Sequence, residues 1–484
     1  MLARARAGVS LARLDAIHFV PRAMSHARAG QPTWETHPHL FRSPLELTPW
    51  VARDEYVARR DALAKLMPAN SCAIFIAAPM NKFYGTVIPS GKYRADADFA
   101  YFTGVSQPAC AMVLTRGVDA TDVTYALIAP KYCARYAQWD GERIDARACE
   151  DVFGADRGSE DGEAVVGEAV RRASGGVFVD RAKVAWDESG AVARALSRAE
   201  NDGVLRPNGS KALSTLTHGV RWRKSATEIE LIERSVALDV RAFESAYAAS
   251  VAGASEADVM AAHEAACRIG GADRLAYPSV VGSGAGACVV HYHPNDKLLR
   301  DGDLVLMDAG CELNGYVSDI TRTWPVNGKW TSAQEDVYGA VLDAHAACVR
   351  AVRADGETSL AHIHRLSVEL LAQSMAKILN TDAQAMIRTG AYVKYYPHSV
   401  GHWLGMDTHD VPSISISTPF ENAVTFTIEP GLYFPLHDVD VPKHFRGIGV
   451  RVEDDCVVRL GRCRVLSRAA LADVLSTNAP VFSP

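Results

Sequence analysis

Residues 303–326 read DLVLMDAGCELNGYVSDITRTWPV, two apolar, β-rich runs on either side of Asn314-Gly315. An Asn-Gly pair between such runs is a strong signal for a two-residue hairpin turn. Asp308 and Asp319 flank the turn at similar distances, so we expect them to lie nearly opposite each other, with an offset that a bulge can absorb. Facing carboxylates repel each other unless a cation lies between them. The hairpin therefore predicts a cation site, and the alternative is two solvated strand aspartates that never meet.

A second block is crowded with histidines. Residues 398–410 read HSVGHWLGMDTHD and contain His398, His402 and His409. A His-x3-His spacing binds zinc when it lies on a helix, but two glycines in this block and a proline just before it favour a loop. This density of histidines predicts a functional cluster, and the alternative is histidines that pack in the core.

Two glutamates interrupt apolar, β-like runs further along the chain. Glu429 lies in TFTIEPGLY at residues 425–433, directly before a Pro-Gly pair, and Glu453 lies in GVRVEDDCVV at residues 449–458. A carboxylate in a buried run costs free energy unless it is paired or bound to a metal. We expect both glutamates to face a site, and the alternative for either one alone is an exposed strand end.

Together these blocks offer four carboxylates and one imidazole. Oxygen-rich ligation suits a fairly hard ion, which favours Mn²⁺ over Zn²⁺. Two neighbouring divalent metals can activate a water and polarise a carbonyl, so the sequence predicts a metallopeptidase. The predicted metal ligands are Asp308, Asp319, His402, Glu429 and Glu453.

The blocks, in this order, resemble the catalytic domain of the creatinase, aminopeptidase P and methionine aminopeptidase superfamily. The resemblance implies an α+β fold with a pita-bread catalytic domain, in which these five residues bind two divalent ions and none is substituted. It implies Mn²⁺ as the ion, with Co²⁺ or Zn²⁺ as alternatives.

Within that superfamily the chain most resembles aminopeptidase P, in its mitochondrial, intermediate-cleaving branch. The histidine block supports this, as do SVVGSGAGACVVHYHPND at residues 279–296 and YRADADFAYFTG at residues 93–104. The similarity covers roughly residues 40–470. It implies a smaller α/β domain at residues 40–210 and a catalytic domain at residues 221–475.

The same resemblance implies roles for further residues. His291 and His409 contact the substrate and stabilise the transition state, and His398 forms a wall of the pocket for the proline after the scissile bond. One of the glutamates, taken here as Glu429, carries a proton to the leaving nitrogen. Arg451 orients the ligand carboxylate two residues further on, or shields its charge.

The implied activity is removal of the N-terminal residue from peptides or processed proteins, preferentially before proline. Three alternatives stay open: a prolidase-type dipeptidase, an intermediate-cleaving peptidase that removes a bulky residue after presequence cleavage, and a non-enzymatic binding module on a retained fold. The resemblance implies peptide or protein N-termini as partners, and a homodimer or larger homo-oligomer.

The composition fits a folded protein of two domains. A chain of 484 residues has ample core for both, and 48% apolar and 22% charged residues are ordinary for a globular protein. A net charge of −6 without a long basic run gives no sign of a nucleic-acid partner. No apolar run approaches the ~18 residues of a membrane span. Ten cysteines without a Cys-x-x-Cys pair predict reduced, structural thiols.

Residues 1–30 differ from the rest of the chain. They contain five arginines and a single acid, Asp15, with apolar residues at roughly helical spacing. An Arg-rich, acid-poor amphipathic leader is typical of a mitochondrial transit peptide. We therefore predict a transit peptide and a mitochondrial location; the alternatives are a disordered basic tail and a cytoplasmic location.

Periodicity and capping signals predict the regular elements. We expect a linker at residues 201–211 and a helix cap at Ser332, from the pattern Ser332-x-x-Glu335. Predicted helices cover residues 52–66, 162–172, 227–249 and 360–379, another helix begins at Ser255, and predicted buried strands cover residues 73–77 and 124–128.

Overall fold

A computed structural model describes residues 28–468 of the chain. The transit peptide predicted at residues 1–30 lies outside the described residues, apart from its last three. The helices are α1 (Arg53–Leu66), α2 (Ala97–Thr103), α3 (Ala134–Asp140), α4 (Ala146–Asp151), α5 (Gly162–Arg172), α6 (Ala191–Asn201), α7 (Ser214–Arg221), α8 (Ala226–Ala249), α9 (Glu256–Ile269), α10 (Ser332–Ala351), α11 (Leu360–Leu379) and α12 (Ala383–Thr389). The strands are β1 (Glu46–Thr48), β2 (Val51–Ala52), β3 (Ser71–Ile76), β4 (Ala111–Arg116), β5 (Val123–Ile128), β6 (Arg157–Ser159), β7 (Gly176–Phe178), β8 (Arg274–Leu275), β9 (Val280–Ser283), β10 (Leu304–Ala309), β11 (Cys311–Leu313), β12 (Tyr316–Val317), β13 (Ile320–Pro325), β14 (Thr425–Ile428), β15 (Gly431–Tyr433), β16 (Gly449–Arg451), β17 (Asp454–Arg459) and β18 (Arg462–Val465). Among these elements, no helix is both long and apolar enough to cross a membrane.

The first half of the chain is built on a five-stranded mixed sheet in the order β6-β5-β4-β3-β7. The three central strands are antiparallel, and the two outer strands join them in parallel. Alternate residues of β3 point to opposite faces of the sheet, and both faces are covered. Phe75 packs in the core that includes α1 and α2, and Ile74 packs in the core that includes α5 and α6. This is the α/β domain that the sequence predicts.

The second half contains four small sheets, β13-β10-β9, β12-β11-β8, β14-β17-β18 and β15-β16. Helices α8 and α9 pack on the first two sheets, and α10 packs on the other two, with α11 behind it. An isolated β-bridge between Thr321 and Glu453 connects the two groups of sheets. Helices segregated around mainly antiparallel sheets make an α+β domain, as predicted.

Local signals place the predicted helix ends to within one residue. The helices predicted at residues 162–172 and 360–379 match α5 and α11. The cap of α10 is Thr331 and not Ser332, because Thr331 has the extended backbone (ψ 157°) that an N-cap adopts. Its hydroxyl accepts a hydrogen bond from Gln334 N at 3.3 Å, and Gln334 Oε1 accepts one from Thr331 N at 2.9 Å.

The segment that joins the two halves is partly structured. The predicted linker at residues 201–211 ends in a strand-like contact, since Lys211 N donates to Val177 O of β7 at 2.9 Å. Across the boundary, Arg59 of α1 donates to Tyr316 Oη of β12 at 3.2 Å. The two halves therefore meet through buried polar contacts, and the predicted domain limits stay predictions.

Candidate metal centre

Asp308 and Asp319 belong to one hairpin but do not lie opposite each other. Asp308 of β10 faces Thr321 of β13, and the same register continues through the pair formed by β11 and β12. Asp319 therefore lies two residues nearer the turn than Thr321, and the aspartates are diagonal neighbours. The expected near-opposition with a bulge is wrong. Asn314 and Gly315 have φ of 51° and 81°, as a type I′ turn requires, and this turn sets the register.

The hydroxyl of Tyr277 contacts both aspartates. It lies 2.6 Å from Asp308 Oδ1 and 2.5 Å from Asp319 Oδ1. Burial, followed by the two carboxylates, raises the pKa of Tyr277 well above its ordinary value, so the phenol stays neutral. A phenol has one proton and donates to one carboxylate at a time. The other carboxylate oxygen therefore needs a further positive partner.

The two predicted glutamates reach the same place from other sheets. Glu429 directly follows β14, and its N donates to Val400 O at 2.7 Å. Glu453 lies between β16 and β17, where its N donates to Thr321 O at 3.0 Å and its Oε2 accepts from Thr321 Oγ1 at 2.7 Å. Backbone pairing with β13 thus brings Glu453 to the aspartate hairpin.

His402 presents one ring nitrogen to the carboxylates. Its Nε2 lies 3.2 Å from Asp319 Oδ2 and 3.6 Å from Glu429 Oε1. Its Nδ1 lies 3.1 Å from Trp403 O, and because a carbonyl only accepts, Nδ1 is the protonated nitrogen. Burial opposes a charge on the ring, but Asp319 and Glu429 outweigh it and raise the pKa of His402 to about 9. Near neutral pH the metal-free ring therefore carries a proton on Nε2 as well, and a bound cation would replace that proton.

The cluster carries more negative charge than its neighbours neutralise. Burial raises the pKa of Asp308, raises that of Glu429 to about 7, and raises that of Glu453 well above its ordinary value. Repulsion from Asp319 adds to all three shifts. Buried carboxylates this close cost free energy unless cations compensate them. Ligand atoms of Asp319, His402 and Glu453 all lie within 4.8 Å of one another. Carboxylate oxygens with one imidazole nitrogen fit divalent cations.

Arg451 hydrogen-bonds to Asp308, and its charge also opposes the rise in the pKa of Glu453. Its guanidinium donates to Asp308 Oδ2 at 2.5 Å, to Thr321 Oγ1 at 3.0 Å and to Tyr433 Oη at 2.9 Å. The Thr321 hydroxyl in turn donates to Glu453, so the hydrogen bonds of Arg451 reach that glutamate through the threonine. Thr321 orients Glu453, while Arg451 neutralises Asp308 and partly shields the charge of Glu453.

His398 has the contacts of a neutral wall residue. Its Nε2 accepts from Tyr433 Oη at 2.8 Å, and its Nδ1 donates to Ser399 O at 2.8 Å. Burial, followed by the charge of Arg451, lowers the pKa of His398 to about 3. With both nitrogens engaged and no charge at neutral pH, the ring is suited to packing and not to proton transfer.

The other two predicted histidines lie on the accessible side of the cluster. The ring of His409 packs edge-on against that of His402, with centroids 4.4 Å apart, and its side chain is exposed. Burial, followed by His402, lowers the pKa of His409. His291 is also exposed and lies close enough to His398 and His409 to lower the pKa of both. The structure therefore brings the three predicted substrate histidines together.

Four residues of the site were not singled out in the sequence. Tyr277, Thr321 and Tyr433 hold ligands or wall residues through their hydroxyls, and Asp455 Oδ2 accepts from Asp319 N at 3.0 Å. A single hydroxyl or acid in an apolar run usually serves the core, so nothing local distinguishes these four. Their proximity to the predicted blocks was the one available signal.

Known proteins resemble this chain in both halves. Residues 230–459 match metallopeptidase family M24, and residues 56–173 match the aminopeptidase P N-terminal domain. The mitochondrial intermediate cleaving peptidase 55 of Arabidopsis thaliana is 35% identical over 433 residues, which covers 89% of this chain and 83% of the relative. Xaa-Pro aminopeptidase 3 of Mus musculus is 34% identical over 454 residues, covering 90% and 87%. The solved structure of proline aminopeptidase P II from Yersinia pestis has a TM-score of 0.80 at 31% identity, covering 88% of this chain and 98% of that one.

Proposed function

This chain belongs to metallopeptidase family M24, and we propose that it releases the N-terminal residue of peptides or processed proteins, preferentially before proline. It is a metal-dependent aminopeptidase. The observation that carries the finer proposal is a charge-rich metal centre beside a neutral wall made by His398 and Tyr433. An uncharged aromatic wall suits the ring of a proline.

The metal ligands in this proposal are the five clustered side chains. Asp308 and Asp319 share one Tyr277 proton, and as ligands they would hold a divalent ion that supplies the missing positive charge. Oxygen donors outnumber nitrogen donors, which favours Mn²⁺, with Co²⁺ and Zn²⁺ as the alternatives. The ligand set is Asp308, Asp319, His402, Glu429 and Glu453.

The residues divide the reaction between them. When bound, the ions supply Lewis-acid activation of a water and polarisation of the scissile carbonyl. Glu429 takes a proton at its carboxylate and passes it to the leaving nitrogen. His409 and His291 donate to the carbonyl oxygen as it gains charge. A proline nitrogen has no N–H to recognise, so the fit of the ring against His398 selects it.

A set of short peptides tests this function. The full chain, loaded with Mn²⁺ or Zn²⁺, is given Arg-Pro, Arg-Pro-Pro, Arg-Pro-Pro-Gly and a tetrapeptide that begins with tyrosine and lacks proline. We expect free arginine from the tri- and tetrapeptides, and faster turnover with Mn²⁺ at equal metal occupancy.

The alternatives predict other products. A prolidase-type dipeptidase would cleave Arg-Pro and leave the longer peptides intact. An intermediate-cleaving peptidase, which is the name of the Arabidopsis relative, would release tyrosine faster than arginine. No turnover of any peptide by metal-loaded protein would refute the proposal.

We further propose a mitochondrial location, because residues 1–30 have the composition of a transit peptide and the Arabidopsis relative is named as mitochondrial. These residues, fused to a passenger protein, should carry it into mitochondria. A passenger that stays in the cytosol would contradict this.

We also propose a homodimer or larger homo-oligomer, which light scattering of the purified chain would test.

A further inference from the structure

The motif YRADADFAYFTG at residues 93–104 lies in the first half of the chain, yet it contacts the loop that carries His409. Arg94 donates to Met406 O at 2.7 Å and to Asp407 Oδ1 at 2.9 Å. Its Nε also donates to Glu312 Oε2 of β11 at 2.6 Å. One guanidinium therefore ties the first domain to the catalytic hairpin and to the histidine loop at once.

A second chain of contacts from the same motif reaches the far end of this loop. Asp98 accepts from Arg221 Nη1 at 2.7 Å, and Arg221 Nη2 donates to Asp410 Oδ1 at 2.5 Å. Lys224 Nζ also donates to Asp410 Oδ2, at 3.0 Å. The side chains of Asp98, Arg221 and Asp410 are 3%, 4% and 1% exposed. Charge-assisted hydrogen bonds in such a buried place hold a fixed geometry.

The loop between these tethers has little freedom. A Cβ on Gly405 would overlap the carboxylate of Asp410, and Val317 N donates to Gly405 O at 3.1 Å. His409 lies between the tethered Asp407 and Asp410. The place of its ring against His402 therefore depends on tethers at both ends of the loop.

We propose that Arg94 is a positioning residue of the peptidase: by holding Met406 and Asp407, it sets where His409 meets the substrate. The inference rests on the proposed role of His409 as a substrate-binding residue. Arg94 lies in the first domain, and Asp407 lies 313 positions further along the chain. The proposal therefore gives the first domain a part in the reaction. A displacement of about 1 Å at a reacting group can cost up to ~10²-fold in rate.

The test is Arg94→Met, which keeps the aliphatic stem and removes the donors. The variant should fold, because Asp407 keeps Arg221 as an ionic partner and Glu312 keeps Arg274. The matched control is Arg157→Met, which removes an exposed ion pair with Glu168 in the same domain. We expect Arg94→Met to lower kcat about tenfold to a hundredfold with unchanged metal content, and Arg157→Met to leave kcat unchanged.

A double variant separates positioning from general stability. If Arg94 acts through His409, then Arg94→Met in a His409→Ala background should cost little more than His409→Ala alone. If the wild-type protein cleaves the peptides, two results would overturn the inference and leave the proposed function standing. One is that the losses of the two single variants multiply in the double variant, and the other is that Arg94→Met keeps full activity. Inactivity of the metal-loaded wild type would instead overturn the proposed function.

Discussion

At the scale of single residues, the buried carboxylates of the proposed metal site differ in their polar partners. Asp308 is matched by Arg451, Asp319 shares the Tyr277 hydroxyl with it, and Glu453 accepts from a threonine hydroxyl. Hydroxyl partners bring no charge, so burial and mutual repulsion still raise the pKa of Glu453 well above its ordinary value. The proposed metal site therefore keeps negative charge that its own side chains do not neutralise.

Asp319→Ala or Glu453→Ala should nearly abolish peptidase activity while the fold is kept. Each change removes a proposed ligand, and in the metal-free protein it also removes a source of repulsion. Metal content, activity and melting are the measurements, with the exposed Asp301→Ala as control. Near-wild-type turnover of either variant in metal-replete buffer would refute the ligand assignment.

His409→Ala should lower kcat and leave the metal content of the purified protein unchanged. The ring lies against His402 on the accessible side, and loss of one transition-state hydrogen bond costs ~10²–10³-fold. If the histidine only packs the loop, the melting temperature falls and the folded fraction keeps its kcat. If metal is lost, His409 is itself a ligand.

At the scale of elements, the site depends on the register of one hairpin. Asn314 and Gly315 adopt positive φ, and a slip of one residue between the two strands would put Asp308 and Asp319 on opposite faces of the hairpin. The β17–β18 hairpin has a comparable turn at Leu460 and Gly461, with φ of 51° and 74°. The chain thus offers a matched pair of turns, one inside the aspartate hairpin and one at the edge of another sheet.

Gly315→Ala and Gly461→Ala should each lower the free energy of unfolding by ~1–2 kcal/mol, because a side chain is strained in the left-handed region. Only Gly315→Ala should also weaken metal binding, since its turn sets the register of the two aspartates. Chemical denaturation and metal titration measure the two effects. Equal metal affinity in both variants would show that the turn does not control the site.

At the scale of the whole molecule, the stability of the metal-free protein should depend on pH. The folded pKa of His402 is raised from 6.5 to about 9, so its contribution is full below pH 6.5 and is lost as the pH rises through 9. The raised pKa of Glu453 acts in the same direction. The pKa of His398 and of His409 is lowered instead, which reduces the stability of the folded state only below pH 6.5. These two residues therefore do not affect the range from pH 6.5 to 9.

The gain in melting temperature on adding Mn²⁺ should therefore be larger at pH 8.5 than at pH 7. Bound cations compensate the carboxylates that ionise in the metal-free protein, and they stabilise the folded state by mass action. Thermal melts with and without metal at the two pH values measure this, with Asp319→Ala as the control that should gain little. A gain that is equal or smaller at pH 8.5 would contradict the charge argument.

The sequence alone determined what short segments encode. The Asn-Gly turn, the helix at residues 162–172 and the candidate site of four acids and one histidine follow from turn chemistry, apolar periodicity and the cost of placing charge in apolar runs. The family resemblance supplied the roles expected of them, and the ligand roles stay predictions.

Only the tertiary structure decided what depends on packing between distant segments. The diagonal placement of Asp308 and Asp319, the contact of Arg451 with Asp308, and the reach of Arg94 to Asp407 join residues up to 313 positions apart. No local rule predicts such pairs, because the partner of a buried charge is set by which strands and loops meet in the folded chain and not by its neighbours in sequence.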